Sequence, residues 1–464
     1  LSESPDPSRI ELSREQMREF GYRVVDLLTE HFAGMAEAPV GAKADPAAIW
    51  ERFAAAPDEE PHDPLQLLTR IEHEVLPNNL HVDHPRFFAF VPGPNNFVSA
   101  MSDALVAGFN VFNGTWLGGS AAAAVEMAVI RWFCRWCELP ETAGGLFVSG
   151  GSAANETALV AARHALLHDR VDGAVVYFSD QTHSSVERAL RVIGFAPEQM
   201  RKLACDADFR LPLESLREAI AADRAAGLRP FCIVANAGTT NTGAVDSLNE
   251  IAQLCRAEEM WMHVDGAYGA ATMLCERGRN ELEGLGRADS LSLDPHKWLF
   301  QSFECGCVLL RDAELLKAAF RITPDYLRDV HRHVAEVNFC DYGIQLTRSF
   351  RALKVWLSLQ TFGPAAFRRA IERGFELAEF AEAELRRRGW EILAPAQMAI
   401  VCFRIAGDDA AQTQLVEALL RDGYAFLTST TLRGRTALRF CTINPRTTEA
   451  DILGTIERIE RLAG

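Results

Sequence analysis

The chain has 464 residues, 48% of them hydrophobic and 24% charged, with a net charge of −16. That length supports two or three structural units around sizeable cores. The acidic balance argues against a nucleic-acid partner, whose phosphates call for clustered lysine and arginine. Eleven cysteines lie without a framework spacing, which points to free thiols in the cytoplasm. Cys134-x-x-Cys137 has no second pair at zinc spacing, so it reads as core packing and no metal is expected; Cys305 and Cys307 read the same way. No run of about 18 apolar residues is free of charge, so no membrane span is expected. The polar, acidic start is unlike a secretory signal.

In chain order, Met17, Phe20, Val24, Leu27, Leu28 and Phe32 recur at helical spacing, which predicts an amphipathic helix over 13–37. Pro39, Pro46, Pro57, Pro61 and Pro64 then cut the chain into short pieces up to residue 77. Residues 1–96 therefore read as a helical segment too open to fold alone. Over 97–365, short apolar runs alternate with helices. The strand candidates are 146–148, 174–178, 231–235, 261–264, 290–293 and 306–310. That alternation predicts an α/β unit with a doubly wound, mainly parallel sheet, which binds ligands outside the carboxyl ends of its strands. Residues 366–464 predict a small α+β unit, with helices over 363–388, 411–420 and 447–462 around "AIVCFRI" and "TALRFCT".

Four features follow strand ends. "VSGGSAANETAL" places Gly150 and Gly151 before a helix that opens at Ser152, and a glycine-led helix N-terminus suits a phosphate. His183 follows the second strand candidate, in "SDQTHSSVERA". Asp265 ends the apolar run of "MWMHVDGAYGA", where a buried carboxylate needs a partner. Lys297 ends the sequence "SLSLDPHK". A lysine and a carboxylate at neighbouring strand ends, with a phosphate cradle and a flat ring, are the parts that pyridoxal phosphate requires.

These residues, with "HPRFFAFVPGP" (84–94), "NAGTTNTGAVD" (236–246), "DPHKW" (294–298) and "RSFRALKVW" (348–356), resemble the pyridoxal-phosphate group II amino acid decarboxylases. The likeness is closest to the aromatic-L-amino-acid decarboxylases and runs from about residue 13 onward. It implies the fold type I, aspartate-aminotransferase-like architecture and a homodimer in which the N-terminal helices wrap the partner. It implies that Lys297 holds the cofactor as a Schiff base, Asp265 pairs with the pyridine nitrogen, His183 stacks on the ring and Ala267 lies against its other face. Thr240 and His296 would help hold the phosphate, with backbone groups at Ala153 and Ala154. Two positions depart from the family pattern: Asp294 stands where asparagine is frequent, and Ala154 where a hydroxyl is. Ser152 or Asn155 is expected to supply the missing hydrogen bond.

The polar stretch after residue 325 reads as a lid. Within it, Tyr342 is matched to the catalytic-loop tyrosine that returns a proton to Cα, which favours amine over aldehyde as product; an aromatic aldehyde synthase is the alternative. The resemblance puts Phe90, Pro92 and Gly93 at the substrate pocket, with Phe112, Gly114 and Trp116 lining it, partly from the partner subunit. Aromatic walls suit an aromatic side chain. The glycines read as room for an indole, so tryptophan is expected ahead of phenylalanine, tyrosine and dopa.

Overall fold

The computed structural model describes residues 10–322 and 336–463. Ser13 opens the first helix, Arg14–Gly34, through a capping box with Gln16. None of that helix's 21 residues is buried in its own chain.

All six expected strands form, as β1 (Gly144–Val148), β2 (Ala174–Ser179), β4 (Arg229–Asn236), β5 (Trp261–Asp265), β6 (Ser290–Leu293) and β7 (Gly306–Leu310). A seventh, β3 (Met200–Leu203), forms the edge; its sequence, MRKL, carries no apolar run to announce it. The spatial order is β1-β7-β6-β5-β4-β2-β3. β7 is antiparallel to both neighbours and the other pairs are parallel. Hence β1 runs in the same sense as β6, and the carboxyl ends of β1, β2, β4, β5 and β6 share one edge.

The connection from β1 to β2 must cross the sheet. Helix Gly151–Leu167 makes that crossing, packed on β5, β6 and β7. Its N-terminus is thereby brought to the ends of β5 and β6. The register completes the placement, with Asn236, Asp265 and Ser292 aligned in one row across β4, β5 and β6.

The C-terminal part carries a four-stranded antiparallel sheet, ordered β10-β11-β9-β8. The two expected runs are its central strands, β9 (Ile400–Arg404) and β11 (Arg435–Cys441). The edges, β8 (Glu391–Gln397) and β10 (Thr428–Leu432), are only partly buried and lack a continuous apolar signature. Helix Ala352–Arg387 is 36 residues long and runs through position 365. The Gly363-Pro364 pair, which reads as a helix start, is instead a kink within it, with Gly363 at φ 73°.

Helix Trp116–Trp136 is long and apolar enough to cross a membrane by composition. It carries Glu126, however, fully buried in an ion pair of 2.6 Å with Arg348. That pair also binds the backbone of Asn113 and Phe147. All eleven cysteines are free thiols. Burial pushes the thiols of Cys134 and Cys305 up to about 12, and those of Cys137 and Cys307 up as well. These are the properties of inert core residues.

Candidate active site

The shared strand edge opens into a cavity of about 430 Å³, within the range of small-molecule sites. Ser152, Ala153, His183, Thr240 and Asp265 line it, as do Ala267, Asp294, His296 and Lys297.

Asp265 is 8% exposed and is held by three donors. Ser292 Oγ (3.1 Å) and the Ala267 N–H (3.2 Å) reach Oδ1, and Asn155 Nδ2 (3.1 Å) reaches Oδ2. A relay fixes the orientation of Asn155. Strand alternation puts Trp261, His263 and Asp265 on one face of β5. Trp261 Nε1–H donates to Ser290 Oγ at 2.8 Å, so that hydroxyl's own proton is available to His263 Nδ1 at 2.9 Å. Burial lowers the pKa of His263 and keeps its ring neutral, so its single N–H sits on Nε2, facing Asn155 Oδ1 at 3.0 Å. The Asn155 amide nitrogen is then left to donate to Asp265 and to Ser185 Oγ, the latter at 3.0 Å.

The expectation that Asn155 binds the phosphate is therefore corrected, because its amide is consumed by this relay. Ala154 is corrected too: its N–H is 2.9 Å from the Gly150 carbonyl, as the helix ladder requires, and it does not line the cavity. Ser152 and Ala153 remain at the cavity edge.

His183 caps helix Ser184–Val192. Its Nδ1 accepts from the Ser185 N–H at 3.2 Å and faces Ser185 Oγ at 2.8 Å. Burial, ahead of the neighbouring charges, lowers its pKa. The residue is thus both a helix cap and a fixed, neutral wall of the cavity. His296 Nδ1 likewise accepts from the Cys305 N–H at 3.1 Å, and burial lowers its pKa.

Helix Gly151–Leu167 has no side-chain cap, which leaves its first N–H groups to the cavity. A Cβ at Gly151 would lie 2.8 Å from both Ala267 Cβ and Asp294 Oδ2, so only glycine leaves this cradle open. Lys297 Nζ stands 3.0 Å from Asp294 Oδ2. An amine, a fixed carboxylate and an open helix N-terminus in one cavity fit pyridoxal phosphate.

The remaining expected residues lie elsewhere. Tyr342 follows the short turn Phe339–Asp341, is 6% exposed, and lines a separate cavity with Met127 and Arg131. Lys317 Nζ is 5.4 Å from its ring centroid. Within one chain the fold withholds this tyrosine from the cofactor cavity, because it packs as core rather than riding on a lid. Residues 323–335, the other part of the expected lid, lie outside the described residues.

Phe90, Pro92, Gly93, Phe112, Gly114 and Trp116 do not line the cofactor cavity of their own chain either. Phe303 connects the two regions. Its ring packs edge-on to His296 at 5.0 Å, and a Cβ at Gly93 would lie 2.5 Å from its Cζ. It shares a neighbouring cavity with Phe112 and Glu304, and Glu304 lines both cavities. The expected room at the glycines is corrected, since Phe303 fills the space at Gly93 and Phe112 the space at Gly114.

Sequence reasoning also missed Arg439, which donates to the carbonyls of Phe90 and of Thr240, the latter at 2.7 Å. Its position in a C-terminal strand gives no local hint of this role.

The conserved domain of pyridoxal-dependent decarboxylases matches residues 46–406. The aromatic-L-amino-acid decarboxylase of Bacillus atrophaeus is 46% identical over 464 residues, covering 98% of this chain and 97% of that one. Phenylacetaldehyde synthase of Arabidopsis thaliana is 31% identical, covering 94% of each. The crystal structure of Oryza sativa TDC with PLP and tryptamine has a TM-score of 0.92 at 29% identity, covering 98% of this chain and 99% of that one. With its sheet order, its lysine–carboxylate–helix cavity and this agreement along nearly its whole length, the chain belongs to the pyridoxal-dependent decarboxylase family.

Proposed function

We propose that the protein converts an aromatic L-amino acid, tryptophan first, to its amine and carbon dioxide, as a cytoplasmic homodimer. The observation that carries this reading is Asp265, held by three donors in the same cavity as Lys297. The near-full-length relative in Bacillus atrophaeus supports the aromatic class. The rings of Phe303 and Phe112 beside the cofactor cavity support it as well.

Bound pyridoxal phosphate supplies an electron sink for the pair left when carbon dioxide departs. Lys297 would hold its aldehyde carbon, and Asp265 would keep the ring nitrogen protonated. The N-terminus of helix Gly151–Leu167 would receive the phosphate. His183, fixed by Ser185 at the cavity lining, would stack on the cofactor ring.

Two features support the dimer. No residue of the first helix is fully buried in its own chain, and Met17, Tyr22, Trp50 and Phe53 are exposed. Phe112 and Trp116 stand outside their own chain's cofactor cavity, which suits a wall contributed across a subunit boundary. The eleven free thiols support a reducing cytoplasm.

An aldehyde synthase is the second reading, favoured by the resemblance to the Arabidopsis thaliana enzyme. A competition assay separates the two. The cofactor-loaded protein receives equimolar tryptophan, phenylalanine, tyrosine, dopa, histidine and glutamate, and products are read by mass spectrometry. Aromatic amines are expected. Predominant aldehydes would establish the synthase, and turnover of glutamate or histidine alone would overturn the aromatic assignment.

A further inference from the structure

The charge balance of the cofactor cavity is unusual for a phosphate site. Its lining carries one basic side chain other than histidine, Lys297, against three carboxyl side chains, Asp265, Asp294 and Glu304. Burial disfavours protonation of both imidazoles, His183 and His296. Asp265 has its three donors, and Glu304 is mostly exposed and paired with Arg351 at 2.7 Å.

Asp294 differs from both. It is 2% exposed, and its Oδ2 has Lys297 Nζ at 3.0 Å. His296 Nε2, at 3.6 Å, is beyond hydrogen-bond range. Its Oδ1 accepts no hydrogen bond among the described residues. The carboxyl also touches the phosphate cradle, 2.8 Å from where a Cβ of Gly151 would stand.

Apart from Lys297, the groups facing Asp294 bring no cation within reach. On its own turn the facing groups are Lys297 and His296; from β5 and the start of helix Ser184–Val192 they are Asp265 and His183. From the turn before β7 they are Glu304 and the Cys305 thiol, which burial keeps protonated. Beyond them, Lys354 is committed to Asp103 at 2.8 Å and Arg351 to Glu304.

Cofactor docking changes this balance twice. A lysine ammonium has three N–H donors, and once Nζ is bonded to the aldehyde carbon, with loss of water, at most one remains. The phosphate brings further negative charge to the same cradle. Two anions at close range that must share this single remaining donor do not both stay ionised. We propose that Asp294 is the proton-carrying partner of the cofactor's phosphate: docking draws one proton from solvent onto its carboxyl, which then donates a hydrogen bond to a phosphate oxygen. Asparagine offers a donor without that proton, so the aspartate makes cofactor retention depend on pH where an asparagine would not. The inference rests on the cofactor assignment above.

The test is calorimetric titration of the apo-protein with pyridoxal phosphate in buffers of differing ionisation enthalpy between pH 7 and 9, on wild type and Asp294→Asn, with phosphorus NMR of the bound state. The wild type takes up about one proton more per site than the variant, and the ratio of variant to wild-type affinity rises about tenfold per pH unit. The bound phosphate keeps the shift of the dianion. Pyridoxal, which lacks the phosphate, shows no such uptake on the wild type, a control independent of how the variant folds. Equal uptake in both proteins, uptake with pyridoxal, or a monoanionic phosphorus signal in wild type would each overturn the assignment. Failure of the wild type to develop the visible absorbance of bound cofactor would instead overturn the cofactor reading itself.

Discussion

Gly93→Ala tests whether the aromatic region beside the cofactor cavity sorts substrates. The new Cβ would lie 2.5 Å from Phe303 Cζ, against an ordinary carbon–carbon contact of about 3.5–4.0 Å. The ring must retreat by about 1 Å. It stands between Gly93 and His296, with its centroid 5.0 Å from the imidazole, so retreat presses it towards the cavity wall. Phe303 is 59% exposed, so the fold tolerates the shift and the cost falls on the ligand. An ångström of lost width is comparable to one methylene, worth about 1–3 kcal/mol in discrimination. The largest side chain loses most, so tryptophan turnover should fall relative to tyrosine by about tenfold or more. The assay is competition between equimolar tryptophan and tyrosine, with the two amines quantified by mass spectrometry and folding checked by thermal melt. An unchanged ratio, or one that moves towards tryptophan, would show that Phe303 does not bound the substrate site.

Glu126→Gln leaves the Arg348 guanidinium buried without its counter-charge and should cost about 3–5 kcal/mol of stability in denaturant titration. Glu126→Leu combined with Arg348→Met should cost less than the two single losses added, and strict additivity would refute the coupling. Tyr342→Phe should leave the amine-to-aldehyde ratio unchanged, because the tyrosine packs against Lys317 and outside the cofactor cavity; diversion to aldehyde in that variant would restore its catalytic role. Of the six tyrosines, Tyr177 donates to Asp223, Tyr268 to Met398, Tyr424 packs beneath Arg86 and Arg458, and Tyr22 lies on the first helix. Tyr326, outside the described residues, is therefore the parallel substitution to assay.

The residues readable in advance share a property: each stands in a local pattern that fixes its place. Asp265 and Lys297 end apolar runs, and Gly150-Gly151 precede a helical period. Parallel strands bring such ends to one edge whatever lies between them. The relay behind Asp265 was not readable, because Asn155 meets it across 110 positions through a register visible only once β5, β6 and the crossing helix are assembled. Gly93 and Gly114 illustrate the opposite limit. Absence of a side chain in the sequence looks like space, but rings from other segments occupy it. The lid expected around Tyr342 differs from the observed packing for a similar reason. The polar residues around it suggest a surface loop, whereas Phe339, Cys340 and Asp341 beside it are buried.

The Glu126–Arg348 pair bears on the order in which the chain assembles. Its partners are 222 positions apart, so closing it encloses most of the large sheet. Neither charge can leave water until β1 and the long helices are in place, which makes this a late contact on the folding route. Weakening it should therefore hasten unfolding more than it slows folding. The pair grips the carbonyls of Asn113 and Phe147, the first between Phe112 and Gly114 and the second at the end of the strand that leads to Gly150. An interaction outside the cofactor cavity thus ties together two segments that a ligand would not hold.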